Sequence, residues 1–177
     1  ITTESGATAD SVSIFRLTFG QAAPIFETDD PIRRIQAFCD TSCRAGDGSE
    51  KIVIDSIDAA DAAELVAALV EMATPDKDLS FEGDGVSHPM VYTLRHPIKL
   101  TSTQDLTQFE FSARTLGQIS GFLNAEGEVA SFREFMRGFS AIVGVPMPVT
   151  DSIVDALDIQ DYANVKEHIM GKLTKSR

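Results

Sequence analysis

The stretch from Val129 to Gly144 constrains the fold more than any other part of the chain. Val129, Phe132, Met136, Phe139 and Val143 recur at spacings of three and four, which places them along one face of an α-helix. Arg133 and Arg137 fall elsewhere. Gly144 is suited to end such a helix, and Pro146 and Pro148 enforce a break after it. A chain of 177 residues that is 43% hydrophobic can bury this face in a core, and its length accommodates one or two small domains.

The flanking sequence supplies strands and further helices. Ile1 to Asp10 is small and polar and reads as a flexible tail (1–11), without the basic stretch that opens a signal peptide. Val12 to Phe19 is a strand candidate, and Gln21 to Asp30 a connector. Pro31, preceded by Asp29 and Asp30, opens a helix carrying Ile32, Ile35 and Phe38 on one side and fading near Cys43. Lys51 to Ile54 reads as a short strand or an extended entry. Asp58 and Asp61 then open a helix from about Ala59 to Ala73 with Leu65, Leu69 and Met72 as its stripe, ended by Pro75. Residues 75–89 are rich in Pro, Asp, Gly and Ser and read as a linker between a 12–74 module and a 90–177 module.

In the second module, Met90 to Leu100 and Leu106 to Ala113 form a hairpin, with Pro97 favouring an edge position. Thr115 and Gln118 form a capping pair for a helix through Leu123. Thr150 and Asp158 cap two closing helices, Asp151 to Ala156 and Ile159 to about Leu173, before a basic end from Lys172 to Arg177. The expected fold class is therefore α+β: two small modules, each with a short antiparallel strand pair and helices, the second richer in helix.

An echo links the two modules. Asp55, Asp58 and Asp61 reappear one hundred residues on as Asp155, Asp158 and Asp161, and apolar positions 57, 65, 69 and 70 match 157, 165, 169 and 170. Two readings stand: capping chemistry that imposes aspartate at both helix starts, or two related modules. Upstream of position 54 no match is evident at this spacing.

Composition and motifs argue against most chemistries. A net charge of −12 repels phosphate backbones, so nucleic acid is not an expected partner. No window approaches the run of apolar residues that spans a bilayer. The absence of an Asn-x-Ser/Thr site fits a cytoplasmic product. Cys39 and Cys43, at i and i+4 of a helix, form a possible thiol pair. They could supply two ligands of a zinc site, but His88, His96 and His168 are not paired at ligand spacing. Asp40 and Asp47 make the neighbourhood acidic, which disfavours a thiolate nucleophile. Aspartates spaced by three lack the alternate ligands of a calcium loop. Neither Gly46-Asp-Gly48 nor Gly83-Asp-Gly85 is followed by Lys-Ser/Thr, so neither is a phosphate loop. No catalytic, cofactor or metal residue is assigned.

Residues 88 to 177 carry a family likeness. Val91-Tyr-Thr-Leu-Arg-His-Pro-Ile-Lys-Leu, then Leu106-Thr-Gln-Phe-Glu-Phe, then Val154-Asp-Ala-Leu-Asp-Ile-Gln-Asp-Tyr resembles the small tail-assembly chaperones of Mu-like myophages. Pro97-Ile98, Leu157-Asp158 and Asp161-Tyr162 fall on that family's motifs. Ser112-Ala-Arg-Thr115 departs from its usual arginine–x–proline turn. The front half more weakly resembles myophage baseplate hub and assembly proteins. The resemblance implies a non-enzymatic protein that binds tape-measure, tail-tube or baseplate components in the host cytoplasm during assembly. The rival is a structural subunit of the tail or baseplate that stays in the virion. A homo- or hetero-oligomer is compatible with either. Phe135, Phe139, Tyr162 and Ile169 are the residues expected to present the partner-binding face.

Overall fold

Short polar side chains, Thr18, Asp30, Asp58 and Asp158, cap several of the helix starts. The computed structural model describes residues 1–46, 48–79 and 81–175, so Asp47, Ser80 and the last two residues of the basic end lie outside the described residues. In the first half the order is β1 (Val12–Ile14), α1 (Phe19–Phe26), α2 (Pro31–Ser42), β2 (Cys43–Ala45), one 3-10 turn (Ile54–Ser56) and α3 (Ala59–Met72). Asp30 caps α2, with Pro31 in its first turn, and Asp58 caps α3 by accepting from the Ala60 and Asp61 amides, both at 2.8 Å.

Three expectations for this half are corrected. The first strand ends at Ile14 rather than Phe19. The expected connector is mostly helix α1, because Thr18 and Gln21 close a capping box on each other's backbone amides. Of the two readings of Lys51 to Ile54, the extended entry holds: Ile52 makes an isolated bridge to Thr3, and Ile54 opens the 3-10 turn. The first residues also fold back on this segment. Val53 donates to the Thr2 carbonyl at 2.7 Å, Thr2 donates to Ser56 Oγ at 2.8 Å, and Thr3 is buried.

The second half runs β3 (Met90–Lys99), β4 (Asp105–Phe111), α4 (Ser120–Asn124), α5 (Glu128–Phe139), β5 (Ser140–Ile142), α6 (Asp151–Asp155) and α7 (Ile159–Asn164). The last helix continues through a wider π-wound segment, Val165–Met170, and a final α segment, Gly171–Lys175. The strands form an antiparallel sheet in the order β3-β4-β5, with β3 on an edge and its pairing irregular between Thr93 and Ile98, around Pro97. The expected helix through Val143 stops at Phe139. Ser140 takes extended geometry, its hydroxyl bonds back to the Met136 carbonyl at 2.5 Å, and Ser140–Ile142 becomes the third strand.

The two halves trace the same course. Moving Pro31–Ser42 along by 97 residues gives Glu128–Phe139, the full extent of α5, and the same shift carries β2 onto β5. The ladders agree residue for residue: Val12↔Ala45, Ser13↔Arg44 and Ile14↔Cys43 become Phe109↔Ile142, Glu110↔Ala141 and Phe111↔Ser140. Thr18 and Gln21 map onto Thr115 and Gln118, whose Oε1 likewise accepts from the threonine amide, at 3.0 Å. Beyond β5 the second half is three residues longer, which restores the hundred-residue spacing of the aspartates. The fold is thus α+β, with a helix–strand–helix frame used twice.

Both copies contribute to one hydrophobic core. Phe19 of α1 is fully buried, with its ring 4.9 Å from Phe132 and 4.7 Å from Tyr162. Backbone bonds knit the same seam: Phe19 donates to Leu157 at 2.7 Å and Ile159 to Leu17 at 3.0 Å. Arg16 grips Asp158 with two bonds of 2.9 Å. The stretch expected to be a linker joins this packing, since Phe81 lies against Tyr92 and His168.

Candidate functional site

Phe135, Phe139, Tyr162 and Ile169, expected on a partner-binding face, are all interior residues, each 3% exposed or less. Phe135 stacks on Phe139 at 4.8 Å and on Phe111 of β4 at 6.0 Å. Tyr162 packs against Phe19, Phe26 and Phe132, and its hydroxyl donates to Glu128. The three-stranded sheet covers one side of α5, and α1 of the first half covers the aromatic seam with α7. A sequence treated as two separate modules leaves that seam bare; shared packing closes it.

An apolar surface that lines a groove is left uncovered on α3 instead. That helix buries only Leu65, while Val66 and Val70 remain 40% and 60% exposed. Together with Leu69 they face Phe26, Ile35 and Phe38 across a groove of about 390 Å³ between α1, α2 and α3. Arg34 and Glu128 are the charged residues among those that line it. The matching place in the second half is a smaller recess of about 300 Å³, lined by Phe132, Lys166 and Met170. There Lys166 stands where the first half has Val66, and it pairs with Glu128 at 2.7 Å. Burial opposes ionisation of Glu128, but hydrogen bonds from Lys166 and Tyr162 outweigh it and hold its carboxyl below the usual glutamate range. The groove therefore offers apolar contact with a charged rim. Its lining residues place no nucleophile beside a base.

A second polar cluster ties β3 to α7. Asp161 is fully buried and accepts three bonds: from Tyr92 Oη at 2.6 Å, from the Arg95 amide at 2.9 Å and from the His96 amide at 3.2 Å. Asn164 adds bonds to Tyr92 Oη and Asp76, and Arg95 pairs with Asp76 at 2.7 Å. Burial and then Asp161 push the Tyr92 hydroxyl far above the usual tyrosine range. Every member has a partner, so this cluster is a fastening between elements.

The thiol pair is interior. Cys39 and Cys43 are free and about 1% exposed or less, with Cys39 on α2 and Cys43 opening β2. Their mutual hydrogen bond lowers Cys39, while that bond and burial raise Cys43 far above the usual thiol range. In the second half Met136 and Ser140 occupy the same two positions, both buried. The positions thus call for small or apolar core side chains rather than for thiol reactivity.

Among the described residues, no group of three or more His, Cys, Asp or Glu side chains is placed to hold a metal ion, and no helix is long and apolar enough to cross a membrane. Comparison with protein-family models, curated proteins and solved structures finds no match.

Proposed function

We propose that this chain is a non-enzymatic phage tail morphogenesis protein that holds an apolar segment of a tail component in the groove between α2 and α3. The component is the tape-measure, tube or baseplate protein. The observation that carries the reading is that Val66 and Val70 are exposed in one groove together with Phe26, Ile35 and Phe38. The net charge of −12 keeps such a surface soluble and disfavours indiscriminate association. The likeness of residues 88 to 177 to tail-assembly chaperones supports the phage context.

The test is quantitative mass spectrometry of purified particles and of infected-cell lysate. The chaperone role expects the chain to be abundant in the lysate and absent from finished particles. A fixed copy number in the particle would replace it with the structural-subunit reading. The site is tested separately: Val66→Asp with Val70→Asp abolishes co-purification with the tail component and leaves the circular dichroism spectrum unchanged.

A further inference from the structure

The seam that joins the halves has two sides, and each half brings a different one to it. The first half inserts Thr18, Phe19, Gly20 and Phe26. The second half receives them. Phe19 packs on Phe132 and Tyr162, and Phe26 lies 5.4 Å from Tyr162. A Cβ on Gly20 would come within 2.7 Å of Asp155 Cβ, and Thr18 bridges antiparallel to Asp158. Because the halves share one frame, each also carries the side that the seam does not use.

In the second half the unused side is the inserting one. Its residues are Thr115, Leu116, Gly117 and Leu123, 97 places beyond those of the first half. Leu116 and Leu123 are 62% and 58% exposed, and the space beside Gly117 is open. In the first half the unused side is the receiving one. Ile35 and Ala62 stand for Phe132 and Tyr162, and Asp55 and Ile57 for Asp155 and Leu157. Asp55 is exposed, and Ile35, Ile57 and Ala62 are half-buried. The backbone agrees. Phe19 donates to the Leu157 carbonyl across the seam, whereas the equivalent Leu116 N–H and Ile57 C=O make no hydrogen bond among the described residues. The receiving side of the second half is covered by a helix of the other half, not by the strand β3 that leads into its own. What fits the receiving side of the first half is therefore the inserting side of another unit of the same fold.

We propose that the chain associates head to tail with a second copy of itself. Leu116 and Leu123 of one copy pack on Ile35, Ile57 and Ala62 of the next, Gly117 passes close to Asp55, and the Leu116 N–H donates to the Ile57 carbonyl. The two surfaces differ, so the contact is heterologous, and each copy keeps one of each for further neighbours; growth leads to an open chain or a closed ring. Leu116 is smaller than Phe19 and Ala62 smaller than Tyr162, so the contact buries less than the internal seam and is reversible. Each copy carries a net charge of −12, so salt strengthens the association by screening their repulsion. The α2–α3 groove stays open, because α1, packed on the second half, leaves the matching recess of Phe132, Lys166 and Met170 open. The contact does not depend on the tail-assembly reading.

Sedimentation velocity of the full chain should show species that grow past the dimer as concentration and salt rise. Leu116→Asp with Leu123→Asp disables the inserting side, and Ala62→Glu the receiving side. Each variant should be monomeric with a native circular dichroism spectrum, and their mixture should give one heterodimer and nothing larger. Gly117→Ala adds a Cβ that meets nothing in its own chain, yet should weaken association about tenfold. Asp55→Cys with Gly117→Cys in one chain should give a ladder of disulfide-linked multimers on mild oxidation. Val70→Asp, in the other groove, should leave association unchanged. A monomer at every concentration and salt overturns the proposal. So does a dimer that never grows, a mixture of the two variants that stays monomeric, or association that survives Leu116→Asp with Leu123→Asp.

Discussion

Asp58-Ala-Ala-Asp61 and Asp158-Ile-Gln-Asp161 begin helices in the same way and end in different surroundings. Each first aspartate is an N-cap, accepting from an amide in the first helical turn. Asp58 does no more than that among the described residues, while Asp158 also holds Arg16 from the other half. Asp61 lines an open groove, whereas Asp161 is sealed under β3 with three donors on its carboxylate. The local motif fixes a helix start, and the neighbouring strand decides whether its second carboxylate is a solvated charge or a buried clasp. A short polar motif thus carries a capping energy of about 1 kcal/mol wherever it stands, and a much larger one only where tertiary packing encloses it.

The sharpest way to break this comparison is to cut the seam that joins the halves. Phe19→Ala removes a fully buried ring from between Phe132 and Tyr162 and should cost about 3–5 kcal/mol. Because both halves share the core, urea unfolding followed at probes in each half should still show one transition, moved to lower urea. Two separate transitions would show that the halves fold apart.

Next in size are the paired aspartates themselves. Asp161→Ala strands the Tyr92 hydroxyl in the interior, takes the acceptor from two part-buried amides and should destabilise by about 3 kcal/mol, whereas Asp61→Ala should stay within about 0.5 kcal/mol. Equal losses in urea titrations would mean that Asp61 is enclosed in solution as well.

The smallest effect uses the equivalent glycines of the two Thr-x-Gly-Gln segments, of which Thr18–Gln21 caps α1 while Thr115–Gln118, expected to open a helix, forms a turn ahead of α4. A Cβ on Gly20 would come within 2.7 Å of Asp155 Cβ, so Gly20→Ala should cost about 2 kcal/mol. A Cβ on Gly117 meets nothing within 4 Å, and Gly117→Ala should be neutral or stabilise by up to about 1 kcal/mol. Thermal melts of the two variants should therefore shift in opposite directions or by clearly different amounts.

Much of the frame was legible in the sequence. Asp30 with Pro31, Asp58 with Asp61, the hairpin of β3 and β4 and the stripe of α5 all stand where residue chemistry places them. The α5 stripe was read four residues too far, because Val143 continues the period after Ser140 has turned the backbone into a strand. The internal repeat is visible at a spacing of one hundred only from position 54 onward, in its aspartates and four apolar positions, because three extra residues after β5 break a constant spacing. A signal existed in Thr18-Phe-Gly-Gln21 beside Thr115-Leu-Gly-Gln118, and in Ile32, Ile35, Phe38 and Cys39 beside Val129, Phe132, Phe135 and Met136. Those last four are all buried, but Ile32 of the first set is 71% exposed, so similarity of type does not carry similarity of environment.

The candidate site was harder to see. The alanine-rich α3 shows apolar residues on most of its faces, and its expected stripe of Leu65, Leu69 and Met72 does not single out Val66 and Val70. The aromatic residues of α5 and Tyr162 drew the expectation of a binding face because they are large and clustered. Size predicts that a side chain seeks burial, not which surface will bury it.

By itself the sequence determined where the Asp-capped helices start, which strands pair as a hairpin, and the acidic character of the whole, because caps, prolines and charge act within a few residues. Only the tertiary structure decided that the two halves close on one core, that Asp161 is enclosed while Asp61 is open, and that α3 keeps an uncovered face. Those outcomes depend on which surfaces meet across more than a hundred residues of chain, as Arg16 meets Asp158, and no local preference encodes that meeting.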